Sequence, residues 1–318
     1  MTPEWLSRAL EDPRITDLCL NGAHQIFADR GNGLEPLEQG DPSWQPCWEE
    51  EEMRAWVLEQ VSSAGKTWDA RFPFIDASLP SGHRLHVAFP PLARQGILVS
   101  LRRLPRSSRD PDPAERSRTR RARWQGSPLY DRLASAIREG DSMLISGATG
   151  SGKTTLASDL LEEVSPAERV LALEDTPELA PAHPQFISLT SRPPNADGFG
   201  EVTLRTLLRQ ALRMRPDRII LGECRGAEVL DLLQALNTGH RGSLATLHAN
   251  SPRDALRRVE LLCLLASSGS VPLAAIRELL AVGVQWLVQV RRCGTERRIA
   301  ELWRIEGREG DTLLLRPE

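Results

Sequence analysis

Residues 147–155, near the middle of the chain, have the types and spacing of a phosphate-binding loop. Residues 147–154 read GATGSGKT and fit the pattern G-x-x-x-x-G-K-[ST] at every position, between a predicted strand and a predicted helix. Glycines in such a loop let backbone N–H groups turn toward phosphate oxygens without a clash from Cβ. Lys153 would then reach the β- and γ-phosphates, and the Thr154 hydroxyl would ligate Mg²⁺. The pattern predicts ATP and Mg²⁺ as cofactors, bound by Gly147, Ala148, Thr149, Gly150, Ser151, Gly152, Lys153, Thr154 and Thr155.

Three titratable side chains lie at the ends of apolar runs that read as separate strands of one parallel sheet. The runs are 169–173, 218–221 and 243–247, and the side chains are those of Glu174, Glu223 and His248. Ligands bind beyond the carboxyl ends of the strands in such a sheet, so we expect all three residues at the edge that holds the loop. A carboxylate there can orient the attacking water, a second can hold Mg²⁺, and a histidine can donate to the γ-phosphate. Each residue alone could equally be a strand cap or a surface group, so the prediction depends on their convergence.

The segment before Glu223 departs from the common pattern in which an aspartate at the strand end binds Mg²⁺. Gly222 occupies the usual aspartate position. The carboxylate chemistry must then come from Glu223 and Glu174, and we expect Glu223 to act with Thr154 as a metal-binding residue.

The elements that would position these residues form an α/β pattern from residue 127 to residue 318. A helix over 129–139, a strand over 142–146 and a helix over 153–164 surround the loop. Short apolar runs then alternate with helical patterns, which is typical of a parallel sheet. The chain ends in three short predicted strands with tight connections, expected to be antiparallel, over 285–290, 299–305 and 312–315.

Residues 1–104 read as a separate mixed α/β domain. It has two helical patterns, over 3–11 and 49–63, and strand-like runs over 15–20, 25–28, 74–79, 84–88 and 97–102. Residues 105–126 form a predicted linker that is rich in arginine and proline and has almost no apolar residues; nine arginines occur from Arg102 to Arg123, counting both ends. A solvated connector is the simpler interpretation, and a basic arm for nucleic acid or acidic lipid is the alternative.

Composition limits the class of protein. With 318 residues, of which 40% are hydrophobic and 26% charged, the chain resembles an ordinary soluble protein of two domains. The formal net charge of −3 disfavours a surface built for nucleic acid. The five cysteines are scattered and never at metal-ligand spacing, which favours a reducing compartment. No apolar run approaches the ~20 residues of a membrane span, and the N-terminus lacks a secretory signal pattern. We therefore expect a cytoplasmic protein that reaches a membrane only through partners.

Taken together, the motifs resemble those of the secretion ATPase superfamily of type II and type IV secretion and type IV pilus systems. Beside the loop, the chain has an aspartate box, LEDTPEL (173–179), an atypical Walker B segment, RPDRIILGECRG (215–226), and a histidine box, GSLATLHANSPRDAL (242–256). Segments such as FIDASLPSGHRLHVAFPPL and ILVSLRRL extend the resemblance into the N-terminal half. It is strongest to the Tad/Cpa-type pilus ATPases, through GECRG, and to the VirB-type conjugation ATPases, through the short chain.

The resemblance implies a homohexameric ring motor with a RecA-like C-terminal domain. ATP hydrolysis in such motors powers pilus assembly or protein secretion through an inner-membrane platform protein. Arginines of the N-terminal domain reach the phosphates, and the matching positions here are Arg84 and Arg102 or Arg103. Two other functions stay open, a RecA-like nucleic-acid translocase and an ATP-binding scaffold with little turnover. DNA stimulation of hydrolysis separates the first from a secretion motor, and phosphate release separates the second.

Overall fold

The computed structural model describes residues 2–31, 33–40, 48–70, 73–94, 96–103, 124, 127–194, 198–294 and 296–318. For residues 39 and 40 it describes the backbone alone. The chain divides into two compact units, Met1–Arg106 with Asn195–Phe199, and Ser107–Pro194 with Gly200–Glu318. Each unit has hydrophobic core clusters of its own.

The first unit is built on a six-stranded antiparallel sheet. Its helices are α1 (Glu4–Glu11) and α2 (Glu50–Ser63), and a 3₁₀ turn spans Leu37–Gly40. Its strands are β1 (Asp17–Asn21), β2 (Gln25–Asp29), β3 (Leu34–Pro36), β4 (Phe74–Ser78), β5 (His83–Ala88) and β6 (Leu98–Arg103). Their order in the sheet is β3-β2-β1-β6-β5-β4.

One face of this sheet forms the core of the unit. Alternate residues along the strands are buried, as on β5, where Leu85 and Val87 are buried and His86 between them is exposed. The buried face packs with Trp56 and Val57 of α2 in one cluster. This period of two is what a sheet with one covered face requires. The predicted helices and strands of residues 1–104 are confirmed, with ends shifted by one or two residues, and β3 was not predicted.

The second unit is built on an eight-stranded mixed sheet. Its helices are α3 (Pro128–Arg138), α4 (Lys153–Leu161), α5 (Leu204–Ala211), α6 (Glu228–Leu236), α7 (Pro252–Ala266) and α8 (Leu273–Gly283). Its strands are β7 (Met143–Ser146), β8 (Val170–Glu174), β9 (Phe186–Thr190), β10 (Arg218–Leu221), β11 (Leu244–Leu247), β12 (Trp286–Cys293), β13 (Glu296–Glu309) and β14 (Thr312–Pro317).

Strand order places the loop and the three strand-end residues at neighbouring positions. The order is β14-β13-β12-β7-β11-β10-β8-β9, with parallel pairing from β12 through β7 to β9 and antiparallel pairing from β12 to β14. β7 leads into the loop, and β11, β10 and β8 are the next three strands. Their carboxyl ends therefore lie side by side, as the sequence predicts.

Both faces of the central sheet are covered by helices. Met143 and Ile145 of β7 pack in a cluster with α3 and α4, whereas Leu144 between them packs in a cluster with α5 to α8. Strands buried on both faces need apolar residues at every position, which explains their uninterrupted apolar runs. The mixed α/β first unit and the P-loop α/β second unit confirm the predicted fold class. In the described part of the chain, no helix is long and apolar enough to cross a membrane.

Of the predicted linker, only Trp124 lies among the described residues. Its indole Nε1 donates to Asp159 Oδ2 of α4 over 2.6 Å, and its ring stacks on Tyr130 of α3 at 6.5 Å between centroids. Trp124 is thus anchored to the helix that follows the phosphate-binding loop. The division at 104 and 127 stays a prediction, since the rest of residues 105–126 lies outside the described part.

Candidate nucleotide-binding and hydrolysis site

The loop between β7 and α4 has the geometry of an anion-binding turn. Gly152 is the N-cap of α4 with φ of 100°, and Gly150 has φ of 71°, both in the left-handed region that favours glycine. The N–H groups of the first turn of a helix lack partners within that helix, so they favour an anion. The buried Ser151 hydroxyl has no hydrogen-bond partner among the described residues. A phosphate oxygen would satisfy it, and the loop therefore fits a bound nucleotide.

The hairpin of β12 and β13 lies against this loop. A Cβ added at Gly152 would come 2.8 Å from Cδ of Arg297 on β13. Glycine is thus needed at position 152 for the left-handed backbone and also for the close approach of the Arg297 side chain.

Lys153 is held inside the loop by its own backbone. Its side chain is buried, and Nζ donates to the carbonyl oxygens of Gly147 and Ala148 over 3.1 and 3.0 Å. A third, longer hydrogen bond of 3.4 Å joins Nζ to His248 Nδ1. Burial lowers the pKa of Lys153, while the negative charges of Glu223 and Glu178 oppose that shift. The ammonium therefore lies where phosphates would bind the loop.

Glu223 and His248 meet at the carboxyl ends of β10 and β11, as predicted. His248 Nε2 lies 3.2 Å from Glu223 Oε1, and the other carboxylate oxygen accepts from Arg225 Nη2 over 2.7 Å. Burial alone would raise the pKa of Glu223, but the hydrogen bond and charge of Arg225, with His248 and Lys153, lower it below its ordinary value. Glu223 is therefore a charged carboxylate at neutral pH.

The contacts of His248 define its tautomer. An ammonium group can only donate, so Nδ1 must accept from Lys153. The ring proton then lies on Nε2, where it donates to Glu223. Burial and the Lys153 charge lower the pKa of His248, and the Glu223 charge partly offsets them. A neutral imidazole thus links the loop lysine to the strand-end carboxylate.

The structure does not bring the Glu174 carboxylate to the loop. Glu174 is the last residue of β8 and is 2% exposed. Its Oε1 accepts from the backbone N–H groups of Glu178 and Leu179, each over 2.9 Å, and its Oε2 accepts from the Ser188 hydroxyl over 2.9 Å. Burial raises the pKa of this carboxyl, against the effect of those hydrogen bonds. The predicted catalytic role of Glu174 stays a prediction, and its observed contacts are with its own following turn.

The path of the Glu174 side chain explains why glycine replaces aspartate at position 222. A Cβ added at Gly222 would come 2.7 Å from Glu174 Cγ and 3.4 Å from the Leu173 carbonyl oxygen. Any side chain at position 222 therefore requires the Glu174 stem to move. The atypical strand end and the buried glutamate form one packing arrangement.

A second glutamate of the same segment does contact the loop. Glu178 Oε2 accepts from the Thr154 hydroxyl over 3.3 Å. Among the described residues, no group of three or more His, Cys, Asp or Glu side chains could enclose a metal ion. A magnesium ion at this kind of site needs fewer, because phosphates and waters supply its other ligands. The Thr154 hydroxyl and the Glu178 carboxylate offer two oxygen groups to such an ion, and the metal-binding role of Glu223 stays a prediction.

Comparisons with known proteins agree with the motifs. The family model described as type II/IV secretion system protein matches residues 6–309. A candidate conjugal transfer protein of Mycobacterium tuberculosis H37Rv is 39% identical over 308 residues, covering 92% of this chain and 82% of the relative. The type IV secretion system protein PtlH of Bordetella pertussis is 32% identical over 340 residues, covering 95% and 93%. The chain belongs to the type II/IV secretion system protein family.

A solved structure extends the comparison to three dimensions. The VirB11 ATPase of the Brucella suis type IV secretion system, in complex with sulphate, has a TM-score of 0.50 and 30% identity, covering 95% of this chain and 92% of its own. The present chain, as a member of the same family, is an ATPase. The superfamily that the motifs resemble is thereby confirmed.

The three arginines that the family resemblance selects in the N-terminal domain have different local partners. Arg103 is tied to backbone: its guanidinium donates to the carbonyls of Leu10, Ile15 and Asp12. Arg102 donates to Asp17 over 2.9 Å, and Arg84 lies 3.9 Å from Asp76. Arg84 and Arg102 are cross-strand partners on β5 and β6. Their action on phosphates stays a prediction.

The sequence analysis did not predict two residues that contact the site, Arg225 and Glu178. Arg225 lies in GECRG, two residues after Glu223. An acidic and a basic residue so close together at a strand end could have indicated their ion pair. Glu178 lies in the box LEDTPEL, which contains three acidic residues, any of which could have been chosen as the site carboxylate. Sequence alone does not show which of them turns toward Thr154.

Proposed function

We propose that this ATPase hydrolyses Mg²⁺-bound ATP at residues 147–154 and works as a homohexameric ring that powers a type IV secretion or conjugation apparatus. The observation that carries the proposal is the contact chain from Lys153 through His248 to Glu223. It joins the phosphate-binding loop to a charged carboxylate at the neighbouring strand ends. Phosphoryl transfer to water needs this combination of charge neutralisation and an oriented nucleophile.

Each residue of the contact chain has a distinct task. The N–H groups of the loop and Lys153 bind and neutralise the phosphates. Glu223, which Arg225 and His248 keep charged, accepts a hydrogen bond from the attacking water and orients it. His248 carries its proton on Nε2 and can donate it to a phosphate oxygen in place of Glu223. Thr154 and Glu223 would hold Mg²⁺, which neutralises charge on the phosphates.

The partners follow from family membership. The names of the relatives, a conjugal transfer protein and type IV secretion proteins, favour the conjugation and type IV secretion branch over the Tad/Cpa pilus branch. We propose that the ring acts at the cytoplasmic face of the inner membrane through a platform protein of that apparatus. The net charge of −3 disfavours nucleic acid as the direct track.

Glu223→Gln tests the hydrolytic assignment. The amide keeps the shape of the side chain but loses its charge and can accept from only one of His248 and Arg225, so ATP should bind while turnover falls. The variant should remain in its ATP-bound state. If ATP binds the ring in preference to the separate subunits, an ATP concentration of ~100 times the dissociation constant stabilises the ring by about 2.7 kcal/mol. The measurements are phosphate release and light scattering after size exclusion, with ATP and Mg²⁺.

The matched control is Glu139→Gln, an exposed glutamate at the C-terminal end of α3. It should hydrolyse ATP as the wild type does. Unchanged turnover in Glu223→Gln would refute the role of Glu223. A Glu223→Gln variant that binds ATP without forming a larger species than the wild type would refute the ATP-stabilised ring.

A further inference from the structure

We propose that Gln289 of β12 is a positioning residue for ATP hydrolysis, and that it acts by holding the backbone beside His248. The inference rests on the proposed function, in which His248 links Lys153 to Glu223. It adds to that contact chain a side chain from β12, the neighbour of β7 on the side away from β11.

Gln289 is a polar residue inside an apolar stretch of strand. The first five residues of β12, Trp286–Val290, are all buried, and Gln289 is 2% exposed. Burial of an amide costs free energy unless its oxygen and its N–H groups find hydrogen-bond partners. An apolar residue would fill this position without that requirement. The partners of the amide therefore indicate why a glutamine occupies it.

The amide oxygen of Gln289 faces the strand that leads into the phosphate-binding loop. Gln289 and Ser146 are register partners in the parallel pairing of β12 with β7. The Ser146 hydroxyl can donate to Gln289 Oε1 over 2.5 Å and to the Val288 carbonyl oxygen over 3.0 Å. Because a second acceptor is present, Ser146 keeps a partner when the glutamine is replaced. The oxygen of the amide is therefore the less important end.

The amide nitrogen of Gln289 holds the segment that carries His248. Its Nε2 donates to the carbonyl oxygen of Ala249 over 3.1 Å. A carbonyl oxygen can only accept, whereas a hydroxyl can donate, so these two partners determine which end of the amide is the nitrogen. On the other side of His248, Leu247 pairs with Ser146 in the sheet. The residues before and after His248 are thus held by β7 and by β12.

The position of His248 matters because its two contacts are not short. Its ring nitrogens lie 3.4 Å from Lys153 Nζ and 3.2 Å from Glu223 Oε1, at or beyond the upper end of the usual range. A displacement of about 1 Å would therefore break them, and a misplacement of that size can cost roughly 100-fold in rate. Nucleotide affinity should change less, since Lys153 also donates to the carbonyls of Gly147 and Ala148 in its own loop.

The test compares Gln289→Met, His248→Ala and the double variant in the full chain. Methionine has a similar length but cannot donate to Ala249. Phosphate release is measured with the protein in excess over ATP, so that slow rates are resolved. Binding of a fluorescent ADP analogue is measured in parallel, with Mg²⁺.

Gln289→Met should affect the rate and not the binding. The rate should fall at least about tenfold, while the affinity for the analogue stays within about threefold of the wild type. In the His248→Ala background, the same substitution should change the rate by less than about threefold, because the residue through which Gln289 acts is gone.

Gln285→Met is the matched control, because Gln285 directly precedes β12 and its amide also bonds at both ends. Its Oε1 accepts from the Ser142 N–H over 2.8 Å and its Nε2 donates to the Val282 carbonyl over 3.0 Å, at the end of β7 away from the loop. This variant should lose stability and keep the wild-type rate. Gln289→Asn replaces Gln289→Met if the latter fails to fold; its side chain is one methylene shorter, which draws the amide back from Ala249, so the rate should also fall.

Three results would overturn the proposal and leave the proposed function standing. A wild-type rate in the Gln289 variant would show that Gln289 positions nothing that hydrolysis needs. An equal fold-loss of rate with and without His248→Ala would show that Gln289 does not act through His248. A loss of affinity as large as the loss of rate would place its effect at the loop, through Ser146. A wild-type chain that releases no phosphate would instead refute the proposed function, and this inference with it.

Discussion

Gly222→Ala tests how the strand ends of the second unit are packed. The new Cβ would lie 2.7 Å from Glu174 Cγ, whereas ordinary contact begins at 3.4 Å, so the Glu174 stem must retreat by about 0.7 Å. The backbone at position 222 is not left-handed, so alanine adds no φ strain. Forcing one extra methyl into a packed site costs about 1–3 kcal/mol. Any of the three hydrogen bonds of Glu174 that breaks adds about 1–3 kcal/mol.

The assay is the melting temperature of the full chain, read on the transition that nucleotide shifts, because that transition reports the unit with the loop. For a unit of this size each kcal/mol corresponds to a shift of about 2–4 °C. A double-mutant cycle with Glu174→Ala isolates the clash. In the Glu174→Ala background, Gly222→Ala should cost close to nothing, since the obstacle is gone. A wild-type melting temperature for Gly222→Ala, or an equal loss in both backgrounds, would refute this packing.

Two further predictions concern stability. Arg103→Ala should lower the melting temperature, since it leaves the backbone carbonyls of Leu10, Asp12 and Ile15 without a donor that is worth about 1–3 kcal/mol; an unchanged melting temperature would show that Arg103 is not a structural residue. Burial raises the pKa of Glu174 above its ordinary value of 4.5, so its contribution to stability is complete below pH 4.5 and is lost as the pH rises through the raised pKa. Glu174→Gln, which does not titrate, should therefore gain stability relative to the wild type between pH 4.5 and neutrality, and a difference in melting temperature that does not change with pH would contradict this.

The parts of the site that sequence predicted are those set by local pattern or by strand order. The loop is a contiguous motif, so its turn and the helix after it follow from neighbouring residues. Glu223 and His248 meet because parallel strands end at one edge, which the alternation of apolar runs and helices already implied.

The part that sequence did not predict depends on side-chain direction. Glu174 turns away from the loop because Gly222 leaves room for its stem and Ser188 supplies a donor on β9. β9 was not predicted, since it is a partly exposed strand without a clear apolar pattern. Without that strand, nothing in the sequence distinguishes Glu174 from Glu178.

The measurement that tests the central claim most directly is ATP binding and phosphate release by the full chain beside Lys153→Ala. Lys66→Ala is the matched control, because these two are the only lysines of the chain and Lys66 Nζ donates to the Asp76 carbonyl, outside the loop. Loss of two charge-assisted hydrogen bonds to phosphate, at about 1.5–3 kcal/mol each, should lower turnover by about 10²–10⁴-fold. Wild type and Lys66→Ala should hydrolyse ATP, and Lys153→Ala should not. Near-wild-type hydrolysis by Lys153→Ala, or no phosphate release by the wild type, would contradict the account.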